Sequence, residues 1–310
     1  MKNLQIYINK INENWIVDRL KKEFIEHNRN YITTRAYKSN LIWMIAPWTW
    51  EKVGIKNLKT KKVICTIHHI DKQKFNSEAI KDFYTRDKFV DFYHAPSLRT
   101  QIQLKELTDK QIIHQPLWIN NKVWFNIGGI NGLREKYGIP KDSFTIGSFQ
   151  RDSEGSNVLL PKLSKGPDRF VEIIKYFNLQ HKNLLIVLSG KRRDYVINEL
   201  NKLNIKFKYF EMVDIKTMNE LYNLLDLYIV ASRYEGGPQS IFECAITKTP
   251  IISTDVGIAN ELLAKESIFD LQNFHNAKPN IEIAYKNVQN HLLEKSFPKY
   301  IEIFKELIEN

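Results

Sequence analysis

Short apolar runs of strand length alternate with stretches of helical periodicity along most of the chain, and this alternation restricts the fold more than any other feature. In the second half, residues 144–149, 184–188, 207–210, 227–231 and 250–253 read as strands. Residues 167–177, 195–203, 218–225, 238–245 and 259–263 between them read as helices. The first half repeats the pattern less cleanly, with strands expected at 4–8, 41–46, 63–67, 92–95 and 111–119. Apolar residues at 16, 17, 20 and 24 mark a helix over 15–24, with Asn12 or Asn14 as its cap. Turn residues crowd 126–141, with Gly128-Gly129, Asn131-Gly132 and Gly138-Ile139-Pro140. The sequence therefore predicts an α/β protein of two doubly wound, Rossmann-like domains. They are expected at 1–135 and 136–290, with a terminal helix over 291–310 and a ligand cleft at the carboxyl ends of the strands.

Composition leaves room for this fold and removes several others. Hydrophobic residues make up 43% and charged residues 26%, enough apolar surface for a sizeable core. The 46 Lys and Arg exceed the 35 Asp and Glu, a formal net charge of +11, which favours anionic partners. The basic residues are scattered in short pairs such as Lys21-Lys22, Lys61-Lys62 and Arg192-Arg193, which read as a solvated surface. Cys65 and Cys244 each sit in apolar surroundings without metal-ligand spacing, as expected of buried thiols in a reducing compartment. The N-terminus lacks the apolar core of a signal peptide, and the most apolar early stretch, 41–48, is too short to span a bilayer. A cytoplasmic protein is expected, with peripheral attachment to the inner face of an anionic membrane suggested by the charge.

The segment that carries chemistry is Ser232-Arg233-Tyr234-Glu235-Gly236-Gly237-Pro238-Gln239-Ser240-Ile241-Phe242-Glu243. A strand ends before it, two glycines and a proline come next, and a helix begins. Such a turn brings backbone N–H groups and a helix start close to an anion, typically a phosphate. Glu235 and Glu243 bracket the turn, placed to hold hydroxyl groups on either side of a diphosphate. A helix cap and a first-turn acid are the plainer reading of the same spacing.

This segment resembles the donor-binding motif of glycosyltransferase family 4, a Glu, seven residues and a second Glu, carried on the two-domain GT-B fold. The flanks agree. Residues 221–232 resemble the family's preceding helix and strand. Pro250-Ile251-Ile252-Ser253-Thr254-Asp255-Val256-Gly257 with Glu261 resembles the family's next strand and turn. Upstream, Ile146-Gly147-Ser148-Phe149-Gln150-Arg151 and Lys165-Gly166-Pro167-Asp168 resemble the family's Gly-Arg and Lys-Gly elements. The stretch between Arg151 and Lys165 is longer than in the family, and Lys162 competes with Lys165 for the role. After the strand at 63–67, His68, with His69 as the alternative, matches a histidine that the family sets facing the donor sugar. Residues 296–304 resemble the family's terminal helix, which crosses back onto the first domain. The family's glycine-rich loop after the first strand has no counterpart: no glycine precedes Gly54, and Asn9 to Asn14 occupy that place.

The resemblance implies a retaining, metal-independent transferase moving a sugar from a nucleoside-diphosphate sugar to a glycan, lipid-linked or other acceptor hydroxyl. His68, Glu235, Arg151 and Lys165 would act in catalysis. Arg151, Lys165, Glu235, Gly236, Gly237, Pro238, Gln239, Ser240 and Glu243 would bind the donor, with no cofactor besides it. The chemistry agrees, because two fixed cations stabilise the charge that develops on a departing diphosphate. Paired Asp-x-Asp residues do not occur. The nearest imitation, Asp152-Ser153-Glu154, reads as a solvent loop. Trp43, Trp48 and Trp50 around Pro47 read as core aromatics rather than an acceptor platform. A sugar-nucleotide epimerase or hydrolase is the rival enzyme. A silent sugar- or nucleic-acid-binding protein is the rival from another class, although no basic-aromatic motif for nucleic acid is present.

Overall fold

The computed structural model describes residues 3–10 and 16–309, arranged as two compact units. The first comprises residues 1–117 and 294–310, the second residues 118–293. Asn12 and Asn14, the expected caps of the first helix, lie outside the described residues.

In the first unit, five parallel strands form one sheet: β1 (Ile6–Ile8), β2 (Leu41–Met44), β3 (Lys62–Thr66), β4 (Phe92–Ala95) and β5 (Ile112–His114), in that spatial order. Ile32 adds a parallel bridge to Ile6, with the Thr33 amide donating to the Ile6 carbonyl at 2.9 Å. The Leu41 amide bonds the neighbouring carbonyl, Gln5, and successive carbonyls of a strand point to opposite edges. Ile32 and β2 therefore flank β1 on opposite sides, and the winding reverses at β1. Helices α1 (Ile16–His27), α2 (Ile55–Thr60), α3 (Ser77–Asp87) and α4 (Leu98–Lys105) connect these strands. Two carry side-chain caps, Asn76 accepting from the Ala79 amide and Ser97 from the Thr100 amide.

The second unit contains α5 (Ile130–Lys136), β6 (Phe144–Ser148), α6 (Pro167–Gln180), β7 (Leu184–Ser189), α7 (Asp194–Lys202), β8 (Phe207–Phe210), α8 (Ile215–Asn223), β9 (Leu227–Val230), α9 (Gln239–Thr247), β10 (Ile251–Thr254), α10 (Ala259–Leu262), β11 (Ile268–Phe269) and α11 (Ile281–Val288). Its six parallel strands are ordered β8-β7-β6-β9-β10-β11, the doubly wound arrangement with its reversal between β6 and β9. Apolar cores cover both faces of this sheet. One holds Leu221, Tyr222, Tyr228, Phe242 and Val256; the other holds Ile146, Phe170, Ile174, Ile186 and Ile229.

The final helix, α12 (Leu293–Glu309), belongs to the first unit. Its Tyr300 ring stacks on Trp43 at 5.6 Å, and Phe297 meets Phe24 edge-on at 5.2 Å. Beneath them a buried polar chain runs from Trp43 Nε1 to Thr66 Oγ1 (2.8 Å), on to His94 Nδ1 (2.9 Å), and from His94 Nε2 to the Gln115 carbonyl (2.7 Å).

Two expectations are corrected here. The turn-rich stretch 126–141 is not a boundary. The Phe125 and Ile127 amides donate to the side chains of Asn219 and Asn223, and the stretch contains α5. Arg134 of α5 is buried, with its guanidinium on Asp226 and the Leu224 carbonyl, so the glycines shape an integral part of the second unit. The tryptophan cluster also divides: Trp43 and Trp50 are buried, whereas Trp48 is 46% exposed.

Candidate active site

The reversal between β6 and β9 sends the two loops after them away from each other at the carboxyl edge of the sheet, which leaves a crevice there. Residues 149–151 come after β6, and residues 231–238 lead from β9 into α9. A third segment, 163–168, turns into α6 and fastens to both. The Gln150 side chain donates to the Lys165 carbonyl at 2.8 Å. The Arg233 and Tyr234 amides donate to the Ser164 carbonyl at 2.8 and 3.2 Å. Arg233 also grips Asp168 with both terminal nitrogens, at 2.7 and 2.5 Å. Burial pushes the Asp168 carboxyl up, but the guanidinium outweighs it and holds the group below the usual carboxylate range.

Two glycines are fixed by this packing. Gly166 sits at φ +63°, and a Cβ there would lie 1.9 Å from the Ala231 carbonyl oxygen. Gly257, at φ +50°, presses on the backbone of Glu235 and Gly236 in the same way. The turn into α6 and the loops after β9 and β10 therefore touch through backbone, which only glycine permits at these positions.

At the centre Lys165 Nζ lies 2.5 Å from Glu235 Oε1, and the same oxygen accepts from Ser232 Oγ at 3.1 Å. This pair spans 70 residues and brings Lys165 to Glu235. Gly237 and Pro238 lead into α9, and Gln239 and Ser240 are its first residues. No side chain caps this helix start, whose positive end favours an anion. Glu243, further along α9, is buried and accepts from the Tyr222 hydroxyl at 2.8 Å. Burial, reinforced by the Glu243 charge, pushes that phenol well above its ordinary value, so it remains a donor. Arg151, half-buried beside Gln150, donates from Nε to the Ser153 carbonyl at 2.7 Å.

Two neighbours of Arg151 depart from the sequence-based expectation. Asp152-Ser153 is not a solvent loop, because both residues are buried. Arg193, expected with Arg192 as surface charge, is 1% exposed. Its Nε lies 2.9 Å from Asp152 Oδ2, and its Nη1 donates to the Ser148 and Ser189 carbonyls. The pair thus locks the ends of β6 and β7 to the loop carrying Arg151. Neither residue has a local sequence signal, since they are 41 positions apart and each looks like a loop charge.

In the first unit, His68 comes just after β3 and is half-buried, with Nε2 2.8 Å from the Ile45 carbonyl. That nitrogen therefore carries the proton and Nδ1 does not. Burial lowers its pKa to about 4, so the ring is neutral at physiological pH. His69, the alternative, is exposed. In place of a glycine-rich loop after β1, buried Asn9 bonds the Ala46 carbonyl at 2.7 Å and Thr49 Oγ1 at 2.8 Å.

Among the described residues, no helix is long and apolar enough to cross a membrane. Residues 156–302 match the family described as glycosyl transferases group 1. The O-antigen chain mannosyltransferase RfbU of Salmonella typhimurium is 22% identical over 262 residues, covering 78% of this chain and 71% of the relative. Among solved structures, the Anabaena protein HepE, in complex with UDP and glucose, superposes with a TM-score of 0.78 at 12% identity, covering 98% of this chain and 100% of that one. Sucrose-phosphate synthase from Thermosynechococcus elongatus gives 0.71 at 14% identity, covering 97% and 81%. With its two parallel α/β sheets the chain has the GT-B fold, and residues 156–302, which hold the Lys165–Glu235 pair at the reversal of the second sheet, are similar to glycosyl transferases group 1.

Proposed function

We propose that the protein transfers a sugar from a nucleoside-diphosphate donor to an acceptor hydroxyl with retention of configuration and without a metal ion. The observation that carries this reading is the Lys165–Glu235 pair, set at the sheet reversal beside the uncapped start of α9. The structural neighbour HepE has been solved with UDP-glucose, which supports a nucleotide-sugar donor. In this reading the diphosphate lies at the start of α9, and Lys165 and Arg151 neutralise the charge that grows on it as the anomeric C–O bond breaks. Glu235 accepts hydrogen bonds from the donor sugar, and Glu243 accepts from the nucleotide ribose. The acceptor oxygen bonds the anomeric carbon on the face the diphosphate leaves, and its proton passes to the departing phosphate oxygen. His68, neutral through Nδ1, accepts from a sugar hydroxyl. The acceptor is a glycan or lipid-linked hydroxyl.

Replacing Lys165 with Ala is expected to lower donor turnover about 100- to 1000-fold while the fold persists. Unchanged turnover removes Lys165 from the mechanism. NMR of the product is expected to show the donor's anomeric configuration, and inversion would overturn the retaining chemistry. Donor conversion that proceeds equally well without acceptor would favour the epimerase or hydrolase.

A further inference from the structure

The longer stretch between Arg151 and Lys165 forms a hairpin with an apolar tip. Ser153 bridges Pro161 in antiparallel register, and the Lys162 amide bonds the Asp152 carbonyl at 2.8 Å. The base rests on the buried Asp152–Arg193 pair. Val158, Leu159 and Leu160 stand side by side at the tip with exposures of 42, 49 and 51%, and Leu163 is 45% exposed at the base. No other run of consecutive large apolar residues is this open among the described residues.

We propose that this hairpin docks the protein on an anionic lipid bilayer, with Val158, Leu159 and Leu160 inserted at the interface. Three features argue for lipid. The first is backbone satisfaction: the Glu154 amide bonds the Leu160 carbonyl, the Leu160 amide bonds the Asn157 carbonyl, and the Leu159 amide bonds Asn157 Oδ1. These bonds satisfy the Leu159 and Leu160 amides within the tip, which lowers the cost of bringing them towards a low-dielectric layer. The second is charge. The hairpin carries Glu154 as well as Lys162, and its positive excess comes from Arg192, bonded to the Gly155 carbonyl, with Lys191 next to it in sequence. Arg193 neutralises Asp152, and the whole chain is +11, a complement to anionic headgroups. The third is size and type. A stable protein interface needs roughly 800 Å² per partner and aromatic anchors, whereas this tip offers three aliphatic side chains and no groove. Because Arg151 and Lys165 flank the hairpin, docking brings the transfer site to the bilayer surface. An amphiphilic acceptor is implied by that placement only if the reading under Proposed function holds.

The test is flotation of the full chain with phosphatidylcholine vesicles, with and without phosphatidylglycerol. Wild type and the triple variant Val158→Ser/Leu159→Ser/Leu160→Ser are compared, with a nucleotide-sugar thermal-shift assay alongside. Wild type is expected to float with the anionic vesicles, and the triple variant to lose about ten-fold or more in partitioning while its donor-induced shift stays the same. Equal flotation of both proteins overturns the proposal, as does a wild type that binds neither vesicle or binds both equally. A wild-type dimer that becomes monomeric in the variant also overturns it, in favour of a second copy as the tip's occupant. Loop-dependent flotation without any donor-induced shift in either protein would leave the docking surface standing and remove the donor reading.

Discussion

The carboxyl edges of the two sheets are built from opposite materials. In the second unit the edge is charged and held by ion pairs: Lys165 with Glu235, Arg233 with Asp168, Arg193 with Asp152. In the first unit the described residues there are mostly uncharged, Asn9, Trp48 and a neutral His68, with Lys21 donating to the Asn9 carbonyl at 2.7 Å and no ion pair among them. Fixed opposite charges on a rigid edge are pre-arranged for an anion whose charge grows during reaction. A neutral edge of amide, indole and imidazole suits polyhydroxyl groups, which need hydrogen bonds and flat surfaces but no net charge. The contrast supports the proposed placement of the donor phosphates at the second unit on grounds independent of motif.

The strongest way to break this contrast is to remove charge where it is structural. Arg193→Met leaves the buried Asp152 carboxylate without its partner, which typically destabilises by about 3–5 kcal/mol. Chemical denaturation monitored through the second unit measures it. A loss below about 1 kcal/mol would show that ion pairing does not hold this edge. Gly166→Ala comes next. It forces a left-handed alanine against the Ala231 carbonyl, an expected cost of about 3 kcal/mol together with a weakened donor-induced thermal shift. An alanine variant as stable as wild type would mean the loops are not locked together through backbone.

The two edges also differ in how far the sequence discloses them. In the second unit β7 and β9 stand out as apolar runs bounded by polar or turn residues, and β8 falls on the expected residues although Lys208 interrupts it, whereas the two-residue β11 gives no signal. Glu235, Glu243 and the glycine-proline bend are local, so one twelve-residue window carries them. The Arg193–Asp152 and Arg233–Asp168 pairs are not local, being 41 and 65 residues apart, and no spacing rule joins them. In the first unit α3 and α4 give little signal because their apolar faces are narrow. Phe83 and Arg86 are the buried residues of α3, and Thr100 and Leu104 those of α4. α5 hides among glycines that read as punctuation, because its anchor is a buried arginine and not an apolar stripe.

On the neutral side, pH sharpens the comparison. Burial lowers His94 to about 4 from the ordinary 6.5. An unfolded histidine binds protons near 6.5 that the folded one refuses, so stability is lost as pH falls from about 6.5 towards 4. Between pH 7 and pH 5 the first unit is expected to lose about 2 kcal/mol through this residue. A His94→Gln variant should show a smaller loss in thermal unfolding across that range. Identical pH slopes for the two proteins would mean that His94 is not held neutral by its burial.

The smallest expected effect is at Trp48. Its neighbour in sequence, Trp43, is fully buried against Phe24 and Tyr300, where truncation to alanine costs about 3–5 kcal/mol. Trp48 is nearly half exposed, 6.0 Å from the His68 ring, so Trp48→Ala should change stability by no more than about 0.5 kcal/mol. If the exposed indole serves the neutral edge as a sugar platform, the variant raises the acceptor KM while the donor KM and the unfolding midpoint stay put. A drop in stability approaching that of a buried tryptophan would make Trp48 part of the core. The first unit's edge would then have no flat surface to offer a sugar, and half of the contrast between the two edges would be gone.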